Sequence, residues 1–322
     1  MTHPAFAHDM AHDMALDVVT AGEAMVLFAA QQPGPLDEVS AFTRTTAGAE
    51  LNVAIGLARL GLRTGYISRL GADVFGRVIA TALDREGIDR QQVTTDPVCP
   101  TGFMLKSRND DGSDPTTAYF RQGSAASRLG PSDNPRAYCA ASRHLHLSGV
   151  LAAVSSSTRD LVFDLATDAR AAGRTVSFDP NLRPTLWRSQ GEMVECLNRL
   201  ARLSDWVLPG LAEGRLLTGH DRPEDIADAY LDQGARLVVI KLGATGAYFA
   251  SASERGYAPG VAVDRVVDTV GAGDGFAVGL VSGLLEGLGL AAATARGNAI
   301  GARVVQFPGD CDGLPTRQAF EA

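Results

Sequence analysis

Apolar segments of two kinds alternate along the chain. Short runs rich in β-branched and other apolar residues predict strands at Leu16–Ala21, Tyr66–Leu70, His144–Leu147, Thr175–Asp179, Trp206–Leu208, Leu237–Leu242 and Ala247–Phe249. Segments with helical spacing lie between and after them: Ala49–Leu60, Phe75–Glu86, Ser157–Ala172, Gly191–Leu203, Ile226–Gln233, Ala272–Leu288 and Ala291–Val305. In the first of these Leu51, Ile55 and Ala58 share one face, and Gly61 stops it as Gly87 stops the second. Parallel strands need a crossover long enough to hold a helix, so this alternation predicts a doubly wound, mostly parallel α/β sheet with helices on both faces. Two stretches, about 24–46 and 98–122, break the rhythm: Gly102–Lys106 and Thr117–Arg121 alternate as strands do, with no helix between them. They predict a small β-sheet lid at the strand ends. No Gly/Ser-rich or Pro-rich linker divides the chain, so 15–322 is expected to form one domain and 1–14 a disordered leader. His8 and His12 stand four apart in that leader, and no chemistry is assigned to them.

The chain has 322 residues, 45% of them hydrophobic and 20% charged, which is ample for a buried core. A net charge of −8 argues against a nucleic-acid partner, which would demand a cationic face. The basic residues are arginines except for Lys106 and Lys241, a skew that reads as codon bias. Lys106, on an alternating lid strand, could add positive charge to the lid, but reads more simply as part of a solvated face. Cys99, Cys139, Cys196 and Cys311 are too dispersed for a zinc knuckle or thioredoxin-like pair and read as reduced thiols of a cytoplasmic protein. No apolar run approaches the ~20 residues of a membrane span, and the N-terminus lacks the basic-then-apolar layout of a secretory signal. Neither lysine sits in a Gly-Lys-Ser/Thr phosphate loop, and GxSxG, HExxH and HRD motifs are absent.

The most informative stretch is 268–276, Asp-Thr-Val-Gly-Ala-Gly-Asp-Gly-Phe, leading into an apolar helix. Gly271, Ala272 and Gly273 are small enough for backbone N–H groups to approach an anion, and a helix N-terminus favours negative charge. Asp274 at the same terminus can take a proton, so the stretch offers a phosphate cradle beside a base, which is what phosphorylating a hydroxyl requires. On loop physics alone, Asp274 reads equally well as a helix cap.

The whole string resembles the DTxGAGDxF signature of the PfkB/ribokinase family of carbohydrate kinases. Residues 47–54, Ala-Gly-Ala-Glu-Leu-Asn-Val-Ala, resemble that family's sugar-binding segment, with Gly48 and Asn52 as contacts and Glu50 where a small residue or proline is usual. Residues 208–213 resemble its Asn-x-x-Glu motif. Gly210 replaces the Asn, so only Glu213 carries over, reaching Mg²⁺ through water. Lys241, Gly243 and Gly246 are similar to the strand-turn bordering the nucleotide, Thr269 belongs with the anion-holding string, and Asn298 and Gly301 resemble the adenine-side wall. The resemblance runs through nearly the whole chain in the right order. It implies a ribokinase-like fold, ATP, Mg²⁺ and a sugar acceptor. Some relatives hold a monovalent cation near the positions of Asp268 and Val270. A small open sheet has edges to cover, so a homo-oligomer through the lid is expected.

Two further segments bear on the acceptor. Asp179-Pro-Asn-Leu-Arg183 follows a strand end, and Tyr119-Phe-Arg121 closes the second lid segment. An arginine from each suits a carboxylate, because guanidinium pairs with it bidentately. Together they resemble the members of the family that act on 2-keto-3-deoxygluconate (KDG), an acid sugar. That resemblance gives Tyr119, Arg121 and Arg183 to the substrate and makes Asp274 the acceptor of its C6 hydroxyl proton. A fructokinase or 5-dehydro-2-deoxygluconokinase shares much of the pattern. A non-catalytic sugar sensor would have no need of Asp274, and surface ion pairing is the plain alternative for the arginines.

Overall fold

The computed structural model describes residues 16–109 and 115–321; the expected leader with His8 and His12 lies outside the described residues. Its strands are β1 (Val18–Ala21), β2 (Met25–Ala30), β3 (Phe42–Ala47), β4 (Thr64–Gly71), β5 (Val93–Asp96), β6 (Phe103–Lys106), β7 (Thr117–Phe120), β8 (His144–Ser148), β9 (Thr175–Asp179), β10 (Trp206–Val207), β11 (Leu237–Lys241), β12 (Gly246–Ser251) and β13 (Arg255–Pro259). Nine of them form one sheet in the order β13-β12-β11-β10-β9-β8-β1-β4-β5. All neighbours from β5 to β11 are parallel, and β12 and β13 add an antiparallel edge.

Side chains leave a strand alternately on its two sides, so each strand feeds two cores. On β11, Val238 and Ile240 join a layer with Leu161, Leu165, Met193, Leu197 and Tyr230. Leu237 and Val239 join the opposite layer, with Leu51, Ile55, Val278, Leu280 and Ile300. The first layer is roofed by helices Ser156–Ala171, Gln190–Arg202 and Pro223–Asp232, the second by Ala49–Arg59, Ala272–Leu285 and Leu290–Val304. Gly56 lets two of these helices meet closely, since a Cβ there would run into Val278.

The chain winds outward from β1 to β4 and β5, then returns through β8 to the other half. The sheet therefore changes direction between β1 and β8, and the crevice at the carboxyl ends of these strands is where such sheets bind ligands. The remaining four strands form a small sheet, β3-β2-β6-β7, as the two interrupted stretches predicted. Phe28, Phe103 and Phe120 on one of its faces cluster with Phe75 of helix Val74–Arg85, with centroids 4.6 to 6.3 Å apart. Met25 and Met104, on its other face, line the crevice.

Strands β5 and β13 escaped the sequence reading because they are short edge strands with largely polar or exposed residues. Lys106 corrects an expectation: it is not on a solvated face but 1% exposed. Among the described residues no helix is long and apolar enough to cross a membrane.

Candidate active site

The carboxyl ends of the central strands open into a cavity of about 270 Å³. The small sheet sends Tyr119 and Arg121 to its wall, and the start of helix Ala49–Arg59 sends Gly48 and Asn52. Asp179, Asn181 and Arg183 enter after β9, Glu213 from helix Leu211–Thr218, and Lys241 from the end of β11. Thr269, Gly271, Gly273 and Asp274 complete the wall at the start of helix Ala272–Leu285. Eleven of these positions, distant in sequence, are ones the sequence had singled out; Asp179 and Asn181 are additions.

The local backbone explains why the Asp274 helix starts where it does. Gly271 caps it at φ +83°, and a Cβ there would run into the Asp310 carbonyl, so only glycine fits. Ala272 N–H donates to Thr269 O at 3.3 Å and Gly275 N–H to Gly271 O at 2.8 Å. The amides of Gly273 and Asp274 stay outside the helical ladder, at the positive end of the macrodipole.

Asp274 is 9% exposed. Asn52 Nδ2 donates to its Oδ2 at 2.8 Å, and Asn181 Nδ2 to its Oδ1 at 3.4 Å. Burial pushes its carboxyl up to about 7, with the charges of Asp179 and Asp310 adding to the rise and Asn52 and Arg183 opposing it. Asn181 is the single non-glycine residue at positive φ among those described, at +40°, a conformation asparagine tolerates better than most. Glu213 holds the same loop in place: its Oε1 accepts from Leu182 N–H at 2.8 Å and its Oε2 from Gly210 N–H at 2.6 Å.

Lys241 Nζ donates to Asp179 Oδ2 at 2.5 Å and lies 3.5 Å from where a Cβ on Gly273 would be. Burial raises the Asp179 carboxyl to about 6, aided by the Glu213 charge and resisted by Lys241. The ammonium thus sits beside the helix mouth, with a buried carboxylate orienting it.

The two arginines differ. Arg121 ion-pairs with the buried Glu23 and lies 5.9 Å over the Tyr119 ring, so part of its charge is already neutralised. Arg183 donates to the Leu182 carbonyl at 2.8 Å and has no carboxylate partner among the described residues. Glu50, the departure in the 47–54 segment, points away from the cavity. It is fully buried, accepts from Ser148 Oγ at 2.6 Å, and burial raises its carboxyl.

Gly243, Gly246, Asn298 and Gly301 stand outside this cavity, around the β11–β13 edge. Gly246 at φ +110° passes so close to Ala258 that a Cβ would strike its carbonyl. Asn298 Nδ2 holds the carbonyls of Ala258 and Pro259 at 3.1 and 3.0 Å, and Gly301 packs against Ala272. Strand and helix packing accounts for the geometry of Gly246, Asn298 and Gly301. Sequence reasoning missed Glu23, Asp179, Asn181 and Asp310. Asp179 and Asn181 carried a signal, a polar Asp-Pro-Asn at a strand end, whereas Asp310 has none in its local sequence.

A carboxyl titrating near neutrality, beside an ammonium and a glycine-rich helix mouth at a sheet crevice, defines a phosphotransferase-type site. The profile of pfkB family carbohydrate kinases matches residues 15–317. The 2-dehydro-3-deoxygluconokinase of Bacillus subtilis (strain 168) is 52% identical over 306 residues, 95% of this chain and 94% of that protein. The crystal structure of a PfkB protein from Polaromonas sp. JS666 superposes with a TM-score of 0.89 at 51% identity, covering 96% of this chain and 100% of that one. A double-mutant fructokinase from Vibrio cholerae O395, in its fructose, ADP and potassium ion bound form, gives a TM-score of 0.83 at 28% identity, over 95% and 98% of the two chains. The chain belongs to the pfkB family of carbohydrate kinases, and its fold is ribokinase-like.

Proposed function

We propose that the protein is an ATP-dependent 2-keto-3-deoxygluconate kinase that phosphorylates the C6 hydroxyl. The observation that carries this is Arg183, which makes no ion pair with a described carboxylate, in the same cavity as Asp274. The 52% identity to a 2-dehydro-3-deoxygluconokinase supports it independently.

In this reading the sugar carboxylate lies against Arg183, with Tyr119 and Arg121 beside it, and the far end of the sugar meets Asp274. Asn52 orients the Asp274 carboxylate. Asp274 takes the C6 hydroxyl proton as O6 bonds to the γ-phosphorus, and the bond from that phosphorus to the β-phosphate bridging oxygen breaks, so ADP leaves with its electron pair. The Gly273 and Asp274 amides and the Lys241 ammonium take up negative charge on the transferring group. Mg²⁺ neutralises phosphate charge when bound. Glu213, pinned by two amides at the cavity wall, would hold it through water, as suits an ion that keeps much of its hydration. Gly243, Gly246, Thr269, Asn298 and Gly301 border the nucleotide in this reading, the packing duties of Gly246, Asn298 and Gly301 fixing that edge.

A coupled ADP-release assay over KDG, 5-dehydro-2-deoxygluconate, fructose and ribose tests the assignment. The highest kcat/KM is expected for KDG. Robust turnover of fructose with none of KDG refutes it.

A further inference from the structure

Some relatives hold a monovalent cation near the positions of Asp268 and Val270, and the donors here do not leave room for one. Lys106 Nζ donates to Asp268 Oδ2 at 2.5 Å and to Asp310 Oδ1 at 2.6 Å. The other Asp268 oxygen accepts from Val270 N–H at 2.9 Å. Both carboxylates are buried with the lysine.

We propose that Lys106 is a tethered internal cation, a positioning residue that holds the anion-binding turn in shape and makes the protein independent of added monovalent metal ions. The two carboxylates it bridges form the two walls of the Gly271 turn. Asp268 fixes the Val270 amide on one side, and the Asp310 backbone closes on Gly271 on the other. That turn begins the helix whose mouth faces the cavity. Without a cation between them, two buried carboxylates would repel and spread the turn. Burial alone would discharge the lysine, but Asp310 and Asp268 outweigh it and keep the ammonium charged.

The tether comes from the small sheet. Alternation along β6 buries Met104 and Lys106 on one face, so a strand lining the cavity also pins the turn. A cavity of about 470 Å³ on the far side has Lys106 and Asp268 in its wall, which gives small ions a route to the position once the side chain is removed.

ADP binding by calorimetry reads the turn without requiring any acceptor, so its outcome is separate from that of the KDG assignment. Titrations are run in potassium chloride and in tetramethylammonium chloride at equal ionic strength. The wild-type Kd is expected to agree within about twofold, because screening is then the same. Lys106→Ala is expected to weaken ADP in tetramethylammonium and lower kcat on the order of 10²-fold, the scale of losing one preorganised electrostatic element. Potassium, ammonium or methylammonium should restore most of both. A wild type that needs potassium to bind ADP overturns the proposal. So does a folded Lys106→Ala variant that binds ADP normally, or that no small cation restores. If the alanine variant does not fold, the wild-type titration decides.

Discussion

Replacing Asp274 by asparagine separates its charge from its shape. The amide oxygen of the variant can still accept the Asn52 hydrogen bond that now reaches Asp274 Oδ2 at 2.8 Å. What disappears is ionisation. Burial raises this carboxyl from 3.8 to about 7, and a rise of about 3 in pKa, at about 1.4 kcal/mol for each, means on the order of 4 kcal/mol. An unfolded chain gives up the proton near 3.8, while the native state keeps it to about 7. Between those values the native state binds the extra proton, so stability falls as pH rises and the loss is complete above about 7. Asp274→Asn should therefore be more stable than wild type at about pH 8 by up to that amount and gain almost nothing at about pH 4. Turnover moves the other way: losing a general base lowers kcat by about 10²- to 10⁴-fold, with sugar affinity little changed. Denaturant melts at both pH values and a coupled ADP assay measure the two effects. An equal stability difference at both pH values refutes the burial argument, and near-normal kcat removes Asp274 as the base.

Two other substitutions probe the same cavity. Asn52→Ala takes away the hydrogen bond that favours the ionised carboxylate, so the acid limb of the kcat/KM profile, expected near pH 7 in wild type, should move to higher pH; an unmoved limb refutes the pairing. Arg183→Ala should raise KM for an acid sugar about 10- to 100-fold, the range of a charge-assisted hydrogen bond, and leave a neutral sugar nearly untouched. Equal losses on both sugars would remove Arg183 as the carboxylate partner.

The doubly wound order was legible because helical and strand periods separate cleanly, and long amphipathic helices such as Ser156–Ala171 bury one face. The anion-holding turn was legible because several rules meet there: glycines, a helix start and a carboxylate. Its support was not. Asp310 and Lys106 lie 204 positions apart, and neither has a neighbour that hints at the other. The alternation of β6 did place Met104 and Lys106 on one face, yet a lysine on a strand reads as solvent-facing until a buried partner is known. Asn181 was legible only as part of a polar strand-end segment, because its role depends on a backbone angle of +40°, which only the folded loop imposes.

The arginine bias acquires a sharper meaning from its two exceptions. A chain of net charge −8 in a family that binds nucleotides must reverse the sign of the field inside its cleft. Arg121 and Arg183 line the cavity wall, the guanidinium of Arg121 already paired with the buried Glu23. Two further cations around the site are lysines. Lys106 joins two buried carboxylates at 2.5 and 2.6 Å, and Lys241 fits between Asp179 and the Gly273 helix mouth. Both places use a compact ammonium whose donors can diverge to separate partners, which suits lysine better than a planar guanidinium fork. Codon bias is the plain reading of arginine elsewhere, whereas the buried carboxylates that Lys106 and Lys241 hold give these two lysines a structural role.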